Sequence, residues 1–307
     1  MINRRYFLAA LGLIGLSGCR SRGGVALPGL REWGSHGMRD GQFASPRAIG
    51  VRETSGGQEI FVIDKSGRVQ VFSAEGSFLR KWLMPAYEKG TPTAVYFSGE
   101  RVIIPDTHYS QIIEYTGEGH ELERWGSFGA GSAQFIYPTG LCMDEGGAYF
   151  FSEYGEEAHR VHVFDKKRQF LRQWGGFGEA PGQFSRPMSI ARASDGTLCV
   201  ADTANHRVQC FDALGQLKKI FGGDGTMKYP HDVAVGPDDT LYVAEYGAHR
   251  ISRLRLDGTM VATYGEAGRG PGQFNAPRGV AVASDGTVYV ADTDNHRVQA
   301  FRTERAA

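Results

Sequence analysis

The sequence predicts an all-β fold, a single six-bladed β-propeller of four-stranded antiparallel blades, and three observations carry that prediction. A proline recurs as Pro46, Pro92, Pro138, Pro187, Pro230 and Pro277, in steps of 43 to 49 residues. An acid recurs with it, as Asp64, Asp106, Glu153, Asp202, Glu245 and Asp292. Between these fixed points the apolar runs are four to six residues long and rich in Val, Ile, Leu, Tyr and Phe, which suits strands and not helices. A length of 307 residues would allow two domains, but an unbroken repeat argues for one closed ring.

Residues 1–18 stand apart from the repeat. Arg4 and Arg5 give a positive start, Tyr6 to Leu16 is an apolar stretch of 11 residues, and Leu16-Ser-Gly-Cys19 follows. Eleven residues is short of the ~20 needed to span a bilayer, so the segment reads as a signal peptide. Its end resembles a bacterial lipobox, which implies that Cys19 becomes the lipidated first residue of the mature chain. Asn3-Arg4-Arg5-Tyr6-Phe7-Leu8 resembles a twin-arginine export signal. The expected divisions are signal peptide 1–18, tether 19–28, propeller 29–303 and tail 304–307. The expected location is extracytoplasmic, anchored by lipid on the outer face of a cytoplasmic membrane or in the periplasm or outer membrane. Losing Arg4 and Arg5 with no acid leaves 32 basic against 34 acidic side chains, a net charge of −2. That charge argues against nucleic acid as a partner.

Each blade then follows one plan. The innermost run, such as Val280-Ala-Val-Ala283, is apolar on successive residues, as expected for a strand covered on both faces. Ser194-Asp-Gly-Thr197, Pro237-Asp-Asp-Thr240 and Ser284-Asp-Gly-Thr287 make tight hairpins to the second strand. The outermost strand ends in an aromatic residue, at Trp82, Trp125, Trp174, Phe221 and Tyr264. The sixth repeat stops after its third strand, near Phe301. Its missing strand is at the other end of the chain, where Leu30-Arg-Glu-Trp33-Gly34 reads like Leu171-Arg-Gln-Trp174-Gly175. The N-terminal strand should therefore complete the last blade and close the ring.

The words Trp-Gly-x-x-Gly…Gly-Gln-Phe…Pro and Asp-x-x-x-His-Arg-Val-x-x-Phe resemble the NHL repeat family over residues 30–302. The fourth and sixth blades match best. The second departs: Trp82-Leu-Met-Pro85 lacks the glycine-rich approach, and Gln111 stands where the arginine should be. The resemblance implies the propeller but little about function, because such rings serve as enzymes, sensors and binding platforms.

Up-and-down connectivity places the short Asp-Gly turns on one face of the ring. The glycine-rich approaches and the Asp/Glu…His-Arg loops fall on the other, which is where ligand contacts are expected. Six acids and four His-Arg pairs (ending in Arg160, Arg207, Arg250 and Arg297) around one ring could suggest metal sites. A feature present in every blade is better read as part of the blade. Recognition needs asymmetry, and the residues after each repeated proline supply it: Arg47, Thr93, Thr139, Met188, His231-Asp232 and Arg278. Two arginines and a histidine on one rim would suit an anion. Glu153-Tyr154 and Glu245-Tyr246 replace the usual Asp-Thr in alternate blades and join the candidate set.

Pro230-His231-Asp232 is similar to the Pro-His entry of the peptidyl-hydroxyglycine amidating lyases, which hold zinc by histidines at the ring axis. That resemblance implies a metal-dependent lyase or hydrolase as the alternative function. Only His231 matches, whereas catalytic zinc usually takes three protein ligands; His36 could reach the axis only by swinging inward. A third reading, from the export signal alone, is an accessory subunit of an exported redox complex. There is no Cys-x-x-Cys, haem motif or phosphate loop, so no cofactor is expected, and zinc or calcium enters only with the alternative. Cys199 and Cys210 could face each other on consecutive strands, but bridges between adjacent strands are usually strained, and buried thiols are the simpler expectation. The leading expectation is a monomeric, membrane-anchored binding platform for a protein, peptide or glycan, with Arg47, Arg278, His231, Asp232, Glu153, Tyr154, Glu245 and Tyr246 as contact candidates.

Overall fold

A computed structural model describes residues 27–156 and 158–303. Cys19, Arg4 and Arg5, with the whole expected signal peptide, most of the tether and the tail, lie outside the described residues. Six four-stranded antiparallel sheets stand around a central channel, spanning residues 46–83, 96–125, 137–175, 187–222, 230–264 and 279–302. Arg31–Trp33 is the fourth strand of the last sheet, with Arg31, Glu32 and Trp33 opposite Ala300, Gln299 and Val298. The ring closes as the repeat predicted. Trp33 then covers the seam, packing on Phe72 of the first blade and Tyr289 of the sixth.

The core lies between blades and not at the axis. Each interblade layer is aliphatic and aromatic, as where Tyr242 and Tyr264 of blade five meet Val280, Val288 and Phe301 of blade six. The middle strands are buried along nearly their whole length and the innermost ones mix buried and half-buried positions, while outer strands such as Phe78–Leu83 alternate between half-buried and exposed positions. Continuous burial in the middle of a blade is why the apolar runs do not alternate.

The repeated acid is a fastener. In blade four, Asp202 accepts from the Ser185 N–H at 2.7 Å, from Arg207 Nε at 2.7 Å and from Asn205 at 2.9 Å. Arg207 in turn donates to the carbonyls of Glu179, Ala180 and Gln183, so the glycine-rich approach is folded onto the blade by one guanidinium. Blade six repeats this with Asp292 and Arg297, blade one with Asp64 and Arg68, and blades three and five with Glu153–Arg160 and Glu245–Arg250. The approach also needs its glycine. Gly265 sits at φ +82° and a Cβ there would lie 2.3 Å from the Phe274 ring, which fills the space beneath the loop.

The histidines of the His-Arg pairs are interblade latches. Nδ1 of His159, His206, His249 and His296 accepts from the backbone N–H of Arg186, Tyr229, Ala276 and Ser45, each at 2.9–3.1 Å and each in the next blade around the ring. Those four donating partners all adopt left-handed backbone, φ 47–57°, immediately before the repeated proline.

One expectation is corrected. Cys199 and Cys210 are directly opposite in the second and third strands of blade four, with Cα atoms 4.2 Å apart, and are joined in a disulfide. Cys142 is a buried free thiol.

Candidate ligand-binding mouth of the channel

The innermost strands carry a bulge just after the repeated proline. Pairing slips between Pro46 and Ala48, Pro138 and Gly140, Pro187 and Ser189, and Pro230 and Asp232. The extra residue in each case is Arg47, Thr139, Met188 or His231. A bulge re-aims its side chain, and here three of the four, Arg47, Met188 and His231, line the channel mouth. Arg278 occupies the corresponding place in blade six, just ahead of the strand Gly279–Val282.

These residues enclose a cavity of about 360 Å³ whose wall also includes Thr93, His108, Tyr154, Arg186, Tyr229 and Tyr246. The channel therefore collects Arg47, Arg278, His231, Tyr154 and Tyr246 into one cup. It does not bring Glu153, Glu245 or Asp232 there. Glu153 and Glu245 are fully buried, accepting from the Ile136 and Lys228 N–H groups besides their arginines. Asp232 lies beyond the mouth and fastens three blades together. It accepts from Ser189 Oγ at 2.6 Å and from the Val233 and Val280 N–H groups at 2.9 Å. Burial pushes its carboxyl up to about 6 despite those bonds. The opposite end of the channel is a second cavity of about 440 Å³, walled mainly by aliphatic side chains such as Val51, Val235 and Val282.

Arg186 was missing from the candidates, because it precedes its proline and the residues after the proline were compared. The signal was present: the preceding residue varies around the ring as Ser45, Thr91, Tyr137, Arg186, Tyr229 and Ala276. Its left-handed conformation turns that side chain over the mouth.

The cup is strongly cationic. Among the described residues the guanidiniums of Arg47, Arg186 and Arg278 form no hydrogen bond or ion pair, and Nε of both Arg47 and Arg278 is buried without a partner. Two of the three are held by rings instead. Arg186 lies 5.1 Å from the Tyr154 ring centroid and Arg278 lies 4.6 Å from that of Tyr246. Burial, then the neighbouring Arg278, pulls Arg47 below the usual arginine range, with Asp294 acting the other way from a distance. His231 is 7% exposed, and burial, then Arg278, lowers it to about 3. Its Nδ1 is 2.9 Å from the Arg278 carbonyl, which can only accept, so Nδ1 carries the proton.

A run of rings leads outward from the cup across blade three. His108 contacts Tyr137 at 5.7 Å, Tyr137 contacts Tyr154 at 5.3 Å, Tyr154 contacts His159 at 6.4 Å, and His159 contacts Phe177 at 4.9 Å. Phe177 and Phe128 are each 64% exposed on this side of the ring. No sequence pattern pointed to this run, since its members come from four different loops and strands.

The donor set does not suit a zinc centre. Among the described residues no group of three or more His, Cys, Asp or Glu side chains is placed to hold a metal ion. His36 stacks on the latch His296 at 4.5 Å and not at the axis. We derive no reaction step through a metal.

A family model described as NHL repeat matches residues 184–211, 227–254 and 274–301. Protein brain tumor of Drosophila melanogaster is 23% identical over 144 residues, covering 46% of this chain but only 14% of that protein. Among solved structures, virginiamycin B lyase from Staphylococcus aureus superposes with a TM-score of 0.62 at 16% identity, covering 90% of this chain and 99% of that one. Kuenenia stuttgartiensis hydrazine synthase does so with a TM-score of 0.60 at 13% identity, covering 87% and 98%. At such identities the likeness is one of fold. The repeat match, the six four-stranded sheets and these neighbours agree that the chain is a six-bladed β-propeller that carries NHL repeats.

Proposed function

We propose that the protein is an extracytoplasmic binding platform, tethered to a membrane through lipidated Cys19, which recognises an anionic protein, peptide or glycan ligand on its loop face. The observation that carries this reading is the convergence of Arg47, Arg186 and Arg278 on one concave mouth with no carboxylate paired to any of them. Every blade-fastening arginine has its acid, whereas these three are left for a partner from outside. The ring run toward Phe177 gives such a partner an adjacent aromatic, partly apolar surface for contact with a peptide side chain or a sugar face.

Arrays of acidic and neutral peptides and glycans, probed with the purified chain, test the reading. Acidic members should be retained, and Arg47→Ala with Arg278→Ala should lose them by tenfold or more while the melting temperature stays within a few degrees. Equal retention of neutral members, or of acidic ones by the double variant, would sink it. Elemental analysis of chelator-free protein addresses the lyase alternative separately: near-stoichiometric zinc lost on His231→Ala would restore that alternative.

A further inference from the structure

The cup holds more positive charge than a simple carboxylate needs. One guanidinium suffices to grip a carboxylate in two-point fashion. Here three come from blades one, four and six, and none is neutralised within the described residues. Like charges held together are relieved best by a compact group bearing more than one negative charge. The cup therefore selects for charge density.

His231 narrows the chemistry further. Its Nδ1–H donates to the Arg278 carbonyl, so in the neutral ring Nε2 is bare and can only accept. An acceptor on the wall of a cationic cup fits a ligand that is an anion and still has a proton to give. A carboxylate, with its pKa near 4, has none at neutral pH. Hydrogenphosphate has both properties at neutral pH, two negative charges and one O–H kept far into the alkaline range, whereas a phosphate monoester, with its second pKa near 6, is by then a dianion with no proton left.

We propose that the channel mouth is a phosphate-binding cup, in which Arg47, Arg186 and Arg278 hold the oxygens of the hydrogenphosphate dianion and Nε2 of His231 accepts a hydrogen bond from its remaining O–H. This rests on the loop face being the ligand face, and it names the anion that face takes. Thr93 and Met188 complete the lining of the cup between the three arginines. Tyr154 and Tyr246 also line the cup and hold Arg186 and Arg278 by cation–π contact.

Isothermal calorimetry on the purified full chain at pH 7.5 and low ionic strength, with inorganic phosphate, phenyl phosphate, succinate and acetate, tests the proposal. Inorganic phosphate should bind ten times more tightly than succinate, and acetate should give no heat. It should also bind more tightly than phenyl phosphate, whose dianion has no O–H for His231, and the reverse order would overturn the role given to Nε2. Arg278→Ala should weaken phosphate binding at least tenfold. His231→Asn, which can keep an N–H toward the Arg278 carbonyl but loses the bare nitrogen, should weaken it several-fold. Succinate binding as tightly as inorganic phosphate would overturn the phosphate assignment and leave the anion platform standing. Absence of heat from all four probes, with acidic array members still retained by the wild-type chain, would likewise overturn the cup while sparing the platform.

Discussion

At the scale of single residues, the most informative position is the one where the repeat breaks. Gln111 replaces the fastening arginine of blade two, and the shortened approach supplies no backbone donor either. Asp106 is left fully buried with one bond, from Gln111 Nε2 at 3.2 Å, and with Oδ1 unpartnered. Burial pushes its carboxyl up to about 6. A raised folded-state pKa stabilises the fold below the unfolded value near 4, and that contribution is lost as pH rises through about 6. At pH 7.5 this blade therefore carries a buried, charged carboxylate with no direct ion pair among the described residues, Arg124 acting on it only from a distance. Gln111→Arg should stabilise the protein by about 1–3 kcal/mol at pH 7.5, as a charge-assisted bond replaces a weak one, and by clearly less at pH 5. Asp106→Asn should also stabilise at pH 7.5. Melting curves at the two pH values read both, and an equal effect of Gln111→Arg at pH 5 and 7.5 would mean that the new arginine is not pairing with Asp106.

At the scale of the element, the blade is a unit that cannot finish its own hydrogen bonding. The N–H before four of the six repeated prolines is turned by left-handed backbone away from its own sheet, and the histidine of the preceding blade accepts it. His249→Ala removes the acceptor of the Ala276 N–H, and Ala276 is only 4% exposed. Leaving that donor unpaired should cost about 1–3 kcal/mol in denaturant unfolding, whereas an unchanged midpoint would show that water substitutes for the ring. The blade plan was readable because a proline, an acid and an arginine at fixed spacing each answer to one backbone need. The bulge was not readable, since nothing in Pro230-His231-Asp232 says that pairing slips there. Yet it explains why residues after the proline reach the cup while Asp232, one position on, does not. The ring run over blade three was invisible for a related reason: Tyr137, Tyr154, His159 and Phe177 come together only after two blades are packed. The Cys199–Cys210 bridge needed the register itself, which spacing could not fix.

At the scale of the whole ring, the same histidine economy sets how stability responds to acid. Burial lowers His108, His159, His162, His231 and His296 below the ordinary histidine value, with His162 reaching about 4 and His231 about 3. For a base, a lowered folded-state pKa means that the unfolded chain binds more protons below about 6.5. The contribution of these rings is complete above that value and is lost as pH falls through it, at up to ~1.4 kcal/mol per pH unit for each ring. The buried acids act with the opposite sign. Asp106 and Asp232 are raised to about 6, and Glu153 and Asp202 are raised as well, chiefly by burial. Their protonation in the fold adds stability between about 6 and the unfolded carboxyl values near 4. The two groups do not overlap at first: between pH 7 and 6 only histidines are being charged in the unfolded chain. The melting temperature should therefore drop across that interval and then flatten between pH 6 and 4.5 as the carboxylic acids compensate. His162 and His231 are the most strongly lowered, so His162→Gln with His231→Asn should shallow the drop while leaving the flat region in place. Calorimetry at half-unit pH steps would show it, and a melting temperature that rises on going from pH 7 to 6 would mean that the buried acids and not the rings govern the neutral limb.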